Sequence, residues 1–89
     1  MSDAREVVTF LARALADDPD AVRVTESEQQ GTTVIELFVA SDDLGKVIGR
    51  QGRTAAALRT LAAAAGERAG RKVMLEIREP GRPGASRDR

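Results

Sequence analysis

Several residue types that carry reactive side chains are missing from this sequence. It contains no cysteine, histidine, tryptophan or tyrosine. Without cysteine there is no disulfide or thiolate metal site, and without histidine the commonest neutral metal ligand and proton shuttle is absent. No serine lies in a nucleophile-elbow motif, and the adjacent carboxylates of Asp42 and Asp43 are better explained as a helix cap than as an acid–base pair. The sequence therefore predicts no catalytic residues, no metal site and no cofactor.

Aromatic residues and long apolar runs are also scarce. The two aromatic residues, Phe10 and Phe38, cannot build the stacking platform on which RRM and OB-fold proteins place bases. We expect both to be core residues or contacts for a protein partner. No apolar run approaches the roughly 20 residues needed to cross a bilayer, and residues 1–6 are unlike the basic start of a signal peptide. We therefore expect a cytoplasmic protein that does not enter the membrane.

The charges that are present are unevenly distributed along the chain. Basic and acidic residues number 14 each, so the formal net charge is zero. Residues 1–43 nevertheless carry 3 basic and 10 acidic side chains, a net charge of −7, whereas residues 44–89 carry 11 basic and 4 acidic ones, a net charge of +7. This asymmetry predicts an anionic partner at the C-terminal half, with chance placement of solvated charges as the alternative.

The first predicted element is an amphipathic helix over residues 3–17. Asp3 and Glu6 suggest an acidic capping pair at its start, and Pro19 prevents its continuation. The expected buried stripe consists of Val7, Leu11, Ala14 and Leu15, with Phe10 at its edge. The acidic trio Asp17, Asp18 and Asp20 is interpreted as a turn, with a cation site as the alternative.

Two strands in a hairpin are predicted next. Their apolar residues recur with a period of two, which is typical of strands that bury one face. The alternating apolar residues are Val22 and Val24 in the first strand, and Ile35, Leu37 and Val39 in the second. Gln29-Gln30-Gly31 supplies a glycine for the connecting turn, whose length the sequence leaves open.

Two helices and a final strand complete the expected domain. Ser41-Asp42-Asp43 signals a short helix that ends at Gly49, and a longer helix is predicted from Arg53 to about Ala69, with Gly70 as its C-terminal cap. The expected buried residues are Leu44, Val47 and Ile48 in the short helix, Leu58, Leu61, Ala62 and Ala65 in the long one, and Val73, Leu75 and Ile77 in the strand.

This order of elements predicts an α+β fold in which helices pack on one face of a three-stranded sheet. We assign residues 1–79 to this single domain. Residues 80–89 contain no large apolar side chain and are predicted to form a flexible tail rich in proline, glycine and arginine.

The turn between the two predicted helices reads Gly49-Arg50-Gln51-Gly52. The spacing alone is weak evidence, because Gly81-Arg82-Pro83-Gly84 in the predicted tail shares it. Between two helices, however, paired glycines let a phosphodiester approach the backbone, where amide hydrogens and the positive end of the second helix face the anion. Lys46, Arg50 and Arg53 add positive charge at the same point. We therefore expect a phosphate-binding turn.

The segment Gly45-Lys46-Val47-Ile48-Gly49-Arg50-Gln51-Gly52 resembles the signature loop of KH domains, and the order of elements is similar to the bacterial, type II-like arrangement. Over nearly the whole chain, the N-terminal helix with Pro19, the strand Val34-Ile35-Glu36-Leu37 and the loop from Lys46 to Arg53 resemble the family of small stand-alone bacterial KH proteins called KhpA. The resemblance implies a cleft that holds about four nucleotides of single-stranded RNA.

The family pattern also implies roles for individual residues. Val47 and Ile48 match its groove positions, with plain core packing as the alternative. Arg59 is a candidate because of its position on the same flank of the second predicted helix and not because of the resemblance, with simple solvation as the alternative. The predicted RNA-binding residues are Lys46, Val47, Ile48, Gly49, Arg50, Gln51, Gly52, Arg53 and Arg59.

The resemblance further implies partners and a cellular role. It suggests a homodimer, pairing with a Jag-like KH protein (KhpB), and a post-transcriptional regulator or RNA chaperone linked to cell elongation and division. The competing interpretation is a protein-interaction or dimerisation module in which RNA binding is incidental.

Overall fold

The computed structural model describes residues 2–79 of the chain. The helices are α1 (Asp3–Leu15), α2 (Leu44–Ile48) and α3 (Arg53–Arg68), and the strands are β1 (Arg23–Gln29), β2 (Thr32–Phe38) and β3 (Lys72–Arg78). Single turns of 3-10 helix occur at Pro19–Ala21, Ser41–Asp43 and Arg50–Gly52. The predicted order of elements is confirmed, and the acidic trio lies in and just before the first of these turns. The predicted tail, residues 80–89, lies outside the described residues.

The three strands form one mixed sheet in the order β1-β2-β3. β1 and β2 are antiparallel from Arg23 opposite Phe38 to Gln29 opposite Thr32, which leaves Gln30 and Gly31 as a two-residue turn. Both turn residues have positive φ, 52° and 84°, as a type I′ hairpin turn requires. β2 and β3 are parallel. Such a pair needs a crossover connection, and α2 and α3 provide it.

The core lies between one face of this sheet and the three helices. Its largest fully buried apolar side chains are Val8 in α1, Ile35 and Leu37 in β2, Val39 just after β2, and Val47 in α2. The rest of the buried cluster consists of Ala4, Ala12, Val22, Leu58, Ala62 and Leu75. Within residues 2–79, no helix is both long enough and apolar enough to cross a bilayer.

The buried face of α1 differs from the predicted stripe. The structure buries Ala4, Val8 and Ala12, whereas Ala14 and Leu15 are exposed and the helix ends at Leu15. Periodicity favoured the bulkier residues, but small alanines at the centre of the contact face let the helix approach its neighbours closely.

The cap of α1 also differs from the prediction. The Ser2 hydroxyl, not Asp3, accepts the backbone N–H of Arg5 (3.1 Å), and it donates to Glu26 Oε1 on β1 (2.8 Å). This second hydrogen bond lowers the pKa of the Glu26 carboxyl. Ser2 therefore fixes the start of α1 to the sheet while it caps the helix.

The buried face of α3 is likewise shifted from the predicted one. Ala55, Leu58, Ala62 and Gly66 are buried, while Leu61 is 47% exposed. Gly66 belongs to the buried face because β3 passes so close that a Cβ atom at this position would collide with Val73. Alanines and glycine thus let α3 lie directly against β3.

The C-terminal end of α3 is a Schellman motif. Gly70 has φ of 72°, its N–H donates to the Glu67 carbonyl (3.0 Å), and the Arg71 N–H donates to the Gly66 carbonyl (2.8 Å). The predicted role of Gly70 is confirmed.

Candidate nucleic-acid interface

The turn between α2 and α3 has a backbone conformation that depends on glycine. Gly49 ends α2 with φ 78° and ψ 172°, and its N–H donates to the Gly45 carbonyl (2.8 Å). Gln51 and Gly52 follow with φ of 57° and 72°. Three of the four turn residues therefore adopt positive φ, which residues with a Cβ atom adopt only at a cost. The chain reverses between the helices within a single tight turn.

The two glycines meet different requirements. A Cβ atom at Gly49 would collide with the side chain of Thr54 in the first turn of α3, so this position is restricted by both space and φ. A Cβ atom at Gly52 would meet nothing within 4 Å, so only its φ restricts that position. The backbone at Gly52 is consequently open to a ligand.

Backbone donors are available along the same turn. The Gly52 N–H donates to the Gly49 carbonyl (3.1 Å), and the Arg53 N–H donates to the Arg50 carbonyl. Within residues 2–79, no backbone carbonyl accepts the N–H of Arg50 or Gln51. The first amides of α3 lie directly after them, at the positive end of the helix dipole. This arrangement suits a phosphate oxygen, which accepts several such donors at once.

The three cations of the turn differ in what they contact. Arg53 Nη2 donates to Gln51 Oε1 (2.8 Å), a neutral partner. Lys46 Nζ lies 3.3 Å from Asp17 Oδ2, in the segment after α1. The side chain of Arg50 is exposed and makes no hydrogen bond or ion pair with the part of the chain that the structure describes. The sequence indicated the three cations but not the pairing of Lys46, because Asp17 is distant in the chain.

The two apolar candidates are separated by the structure. Val47 is fully buried in the core, so it presents no surface for a base and instead packs α2, the helix before the turn, against the core. Ile48, one residue before Gly49, is 38% exposed. Of the two roles that the sequence left open, core packing describes Val47, while Ile48 retains the surface that a base contact requires.

Arg59 lies about 9 Å further along α3 than Arg53, given a rise of 1.5 Å per residue. Its Nε donates to the Leu75 carbonyl on β3 (3.4 Å). Because β3 pairs only with β2, its other edge carries backbone groups without a strand partner within the described residues. The seam between α3 and this edge is an open groove of about 590 Å³, lined by Thr32, Arg59, Ala63 and residues 72–76.

This groove includes one cation that the sequence reasoning missed. Lys72 is exposed and lines the groove at the start of β3. The period-two pattern of residues 72–78 indicated that Lys72 belongs to a strand. It did not indicate a position in a groove, because the sequence does not show which edge of the sheet stays uncovered. In the same described range, no cluster of three or more histidine, cysteine, aspartate or glutamate residues could hold a metal ion.

Three helices on one face of a mixed three-stranded sheet, with a glycine-framed turn between two consecutive helices, define a KH domain. A protein-family model described as "KhpA/KhpB, KH domain" matches residues 5–77. The chain belongs to this family. Its members are non-enzymatic KH proteins, so the expectation that the chain is not an enzyme is confirmed.

Two proteins with similar sequences are named RNA-binding proteins. The RNA-binding protein KhpA of Aquifex aeolicus is 52% identical over 79 residues, which cover 89% of this chain and 100% of the relative. The RNA-binding protein KhpA of Caldanaerobacter subterraneus subsp. tengcongensis is 50% identical over 72 residues, which cover 81% of this chain and 96% of the relative. The family resemblance inferred from the sequence is confirmed.

Two solved structures of the protein Era share the fold. Era in complex with MgGDPNP and nucleotides 1506–1542 of 16S ribosomal RNA matches 85% of this chain with a TM-score of 0.60 and 26% identity. A variant of Aquifex aeolicus Era bound to GDP.AlF4- matches 85% with a TM-score of 0.58 and 22% identity. The chain spans 29% of each Era chain.

Proposed function

We propose that this protein binds single-stranded RNA and holds its sugar–phosphate backbone at the turn Gly49–Gly52. The observation that carries this proposal is the turn itself. Its backbone N–H groups at Arg50 and Gln51 have no backbone acceptor within residues 2–79, Gly52 exposes the chain, and Arg50 is unpaired over the same range. Support also comes from relatives named RNA-binding proteins and from a structural neighbour solved with ribosomal RNA.

The groove between α3 and β3 supplies a path for the nucleotides beyond the turn. Ile48 offers an apolar surface beside Gly49, and Arg59 and Lys72 offer positive charge further along. The outer edge of β3 can exchange hydrogen bonds with base edges. Lys46, Arg50 and Arg53 contact phosphates and fix register, which carries no sequence information. We therefore expect modest affinity and weak sequence selectivity.

The test replaces Arg50 and Gln51 with aspartate. Two carboxylates would then face phosphate at an exposed turn, so we expect binding to a short single-stranded RNA to fall at least about tenfold. Circular dichroism and the oligomeric state should stay as in the parent protein, because both side chains are exposed and neither belongs to the core. The matched control is Arg68→Asp with Gln29→Asp, which makes the same chemical changes at exposed positions on α3 and β1. Equal RNA affinity for parent and turn variant would overturn the proposal.

The alternative function is protein interaction or dimerisation with incidental RNA binding. The observation that favours it is Phe10, which is 73% exposed on the outer face of α1 beside a shallow depression lined by Glu6, Thr9, Arg13 and Ala14. A second copy of the chain or a Jag-like KH partner (KhpB) is the expected occupant. If the turn variant retains RNA binding while the parent protein self-associates, this alternative is preferred.

The cellular part of the proposal rests on the family resemblance alone. We place the protein in the cytoplasm, where it would act as a post-transcriptional regulator or RNA chaperone with a link to cell elongation and division. Crosslinking followed by sequencing of the bound RNA, in cells with the parent or the turn variant, would identify the transcripts that depend on the turn.

A further inference from the structure

The segment between α1 and β1 brings an acidic side chain to the proposed RNA site. Asp17 Oδ2 lies 3.3 Å from Lys46 Nζ, and both side chains are largely solvent-exposed. Lys46 is in the last turn of α2, three residues before Gly49. We propose that Asp17 competes with RNA phosphate for Lys46, and that it thereby lowers the affinity of the site and its dependence on salt. This inference rests on the proposed function.

The position of Asp17 is fixed by its neighbours. The backbone N–H of Asp18 donates to Asp43 Oδ2 (3.0 Å), and Asp43 is only 2% exposed. The peptide that follows Asp17 is thus tied to the start of α2, and Pro19 restricts the next step of the chain. A hydrogen bond that a carboxylate accepts is stronger than one between neutral groups. Asp43 therefore fixes the backbone next to Asp17, and from there the carboxylate of Asp17 reaches Lys46.

Lys46 differs in its partner from the three arginines along the proposed RNA path. Arg50 is unpaired within residues 2–79, Arg53 donates to the neutral amide of Gln51, and Arg59 donates to a backbone carbonyl. None of these three has to leave a carboxylate when a phosphate arrives. Of these four side chains, only Lys46 is paired with an anion in the described part of the chain.

The Lys46–Asp17 ion pair changes how many cations are released when RNA binds. A lysine that neutralises a phosphate normally releases a condensed counterion, which makes affinity fall as salt rises. If Lys46 leaves Asp17 for a phosphate, the exposed carboxylate attracts cations from solution, and the net release of cations at this contact is smaller. Without the Asp17 carboxylate, binding of a phosphate to Lys46 should release a counterion from the RNA in the normal way. Salt dependence therefore distinguishes competition from a purely structural role of Asp17.

The first test is Asp17→Asn, with binding to a short single-stranded RNA of mixed sequence followed by fluorescence anisotropy at several salt concentrations. We expect about two- to fivefold tighter binding at low salt, the range that an exposed ion pair supports. The slope of log K against log salt should steepen by up to about 0.7, the value for one full phosphate contact on a single strand. Unchanged affinity and slope would overturn the proposal. Weaker binding would also overturn it, since Asp17 would then position Lys46 for RNA.

Two further variants isolate the contact. Asp20→Asn removes the same charge from the same acidic segment, but the Asp20 side chain makes no ion pair within residues 2–79, so it should change affinity less than Asp17→Asn and leave the slope alone. In a Lys46→Gln background the extra effect of Asp17→Asn should disappear. If it persists there, a general charge effect replaces the proposal. RNA binding that ignores aspartates at positions 50 and 51 would instead refute the proposed function itself.

Discussion

Two glycines set the geometry of the proposed RNA-binding turn. They differ in how much space a side chain would have, and this difference can be measured. Gly52 is restricted by its φ of 72° alone, whereas Gly49 combines φ 78° with a side chain of Thr54 in the space of a Cβ atom. A methyl group at Gly52 would point into the opening where the phosphate is proposed to bind. The same methyl group at Gly49 would first disturb the packing of α3.

Substitution of these glycines by alanine should therefore separate stability from binding. We expect Gly52→Ala to lower the free energy of unfolding by about 1 kcal/mol, the cost of left-handed backbone for a residue with a Cβ atom. Gly49→Ala should lower it by about 3 kcal/mol, because φ 78° with ψ 172° is a conformation that essentially only glycine adopts, and because an overpacking cost against Thr54 is added. Urea denaturation measures both values. Equal losses at the two positions would show that the Thr54 clash is absent in solution.

The control for RNA binding is Gly31→Ala in the β1–β2 turn. Gly31 has φ of 84° and open space where a Cβ atom would lie, so its conformation is restricted by φ alone, as at Gly52, and it belongs neither to the turn nor to the residues that line the groove. Gly52→Ala should weaken RNA binding, while Gly31→Ala should leave it unchanged at a similar loss of stability. If both variants bind equally well, the open backbone at Gly52 is not where the phosphate binds.

At the scale of elements, the α2–turn–α3 unit is positioned by how closely α3 lies against β3. Gly66 allows α3 to lie this close to β3, because a Cβ atom at this position would collide with Val73. The approach also sets the width of the groove that Arg59 crosses to reach the Leu75 carbonyl. Packing at one end of α3 thus determines the shape of the surface proposed to receive bases.

A pair of glycine-to-alanine substitutions in helices tests this packing. Alanine is favoured over glycine in a helix by about 1 kcal/mol, so Gly45→Ala in α2, where a Cβ atom meets nothing within 4 Å, should stabilise the protein by up to that amount. Gly66→Ala gains the same helix propensity but incurs an overpacking cost of about 1–3 kcal/mol, so the net change should be destabilising. Thermal unfolding of both variants gives the two signs. A stabilised Gly66→Ala would mean that β3 can shift away at no cost.

The sequence predicted the elements well because their signals are local. The Pro19 stop, the glycine at position 49, the Schellman glycine at position 70 and the period-two strands each depend on a few adjacent residues. The buried faces of α1 and α3 were predicted less well, because hydrophobicity favours leucine over alanine and glycine. Close packing instead placed Ala12 and Gly66 inside and left Leu61 half exposed.

The candidate site was predictable in its residues but not in its contacts. Lys46 and Asp17 are 29 positions apart, and no local pattern pairs them. The same holds for Arg59 and Leu75, which meet because the crossover from β2 to β3 brings α3 over the sheet. Charge type and spacing therefore indicated where phosphate would bind, while the partners that modulate each cation depend on tertiary structure.

On the scale of the whole molecule, the formal net charge of zero means that RNA gains no general attraction to this protein. Binding has to come from the local cations of the turn and groove, one of which is already paired with Asp17. We therefore expect a shallow salt dependence. Contacts to about three phosphates give a slope of log K against log salt near −2 for a single strand.

Two variants decide whether those contacts are local to the turn. Arg50→Gln removes one phosphate contact and should make the slope less steep by about 0.7, with a uniform loss of affinity across RNA sequences. Replacement of Arg82, Arg87 and Arg89 by serine removes more positive charge, yet it should leave the slope unchanged if the turn and groove hold the strand. Filter binding over a range of potassium chloride concentrations measures both slopes. If the slope becomes less steep in the serine variant but does not change in Arg50→Gln, the main electrostatic contact is made by the C-terminal arginines and not by the turn.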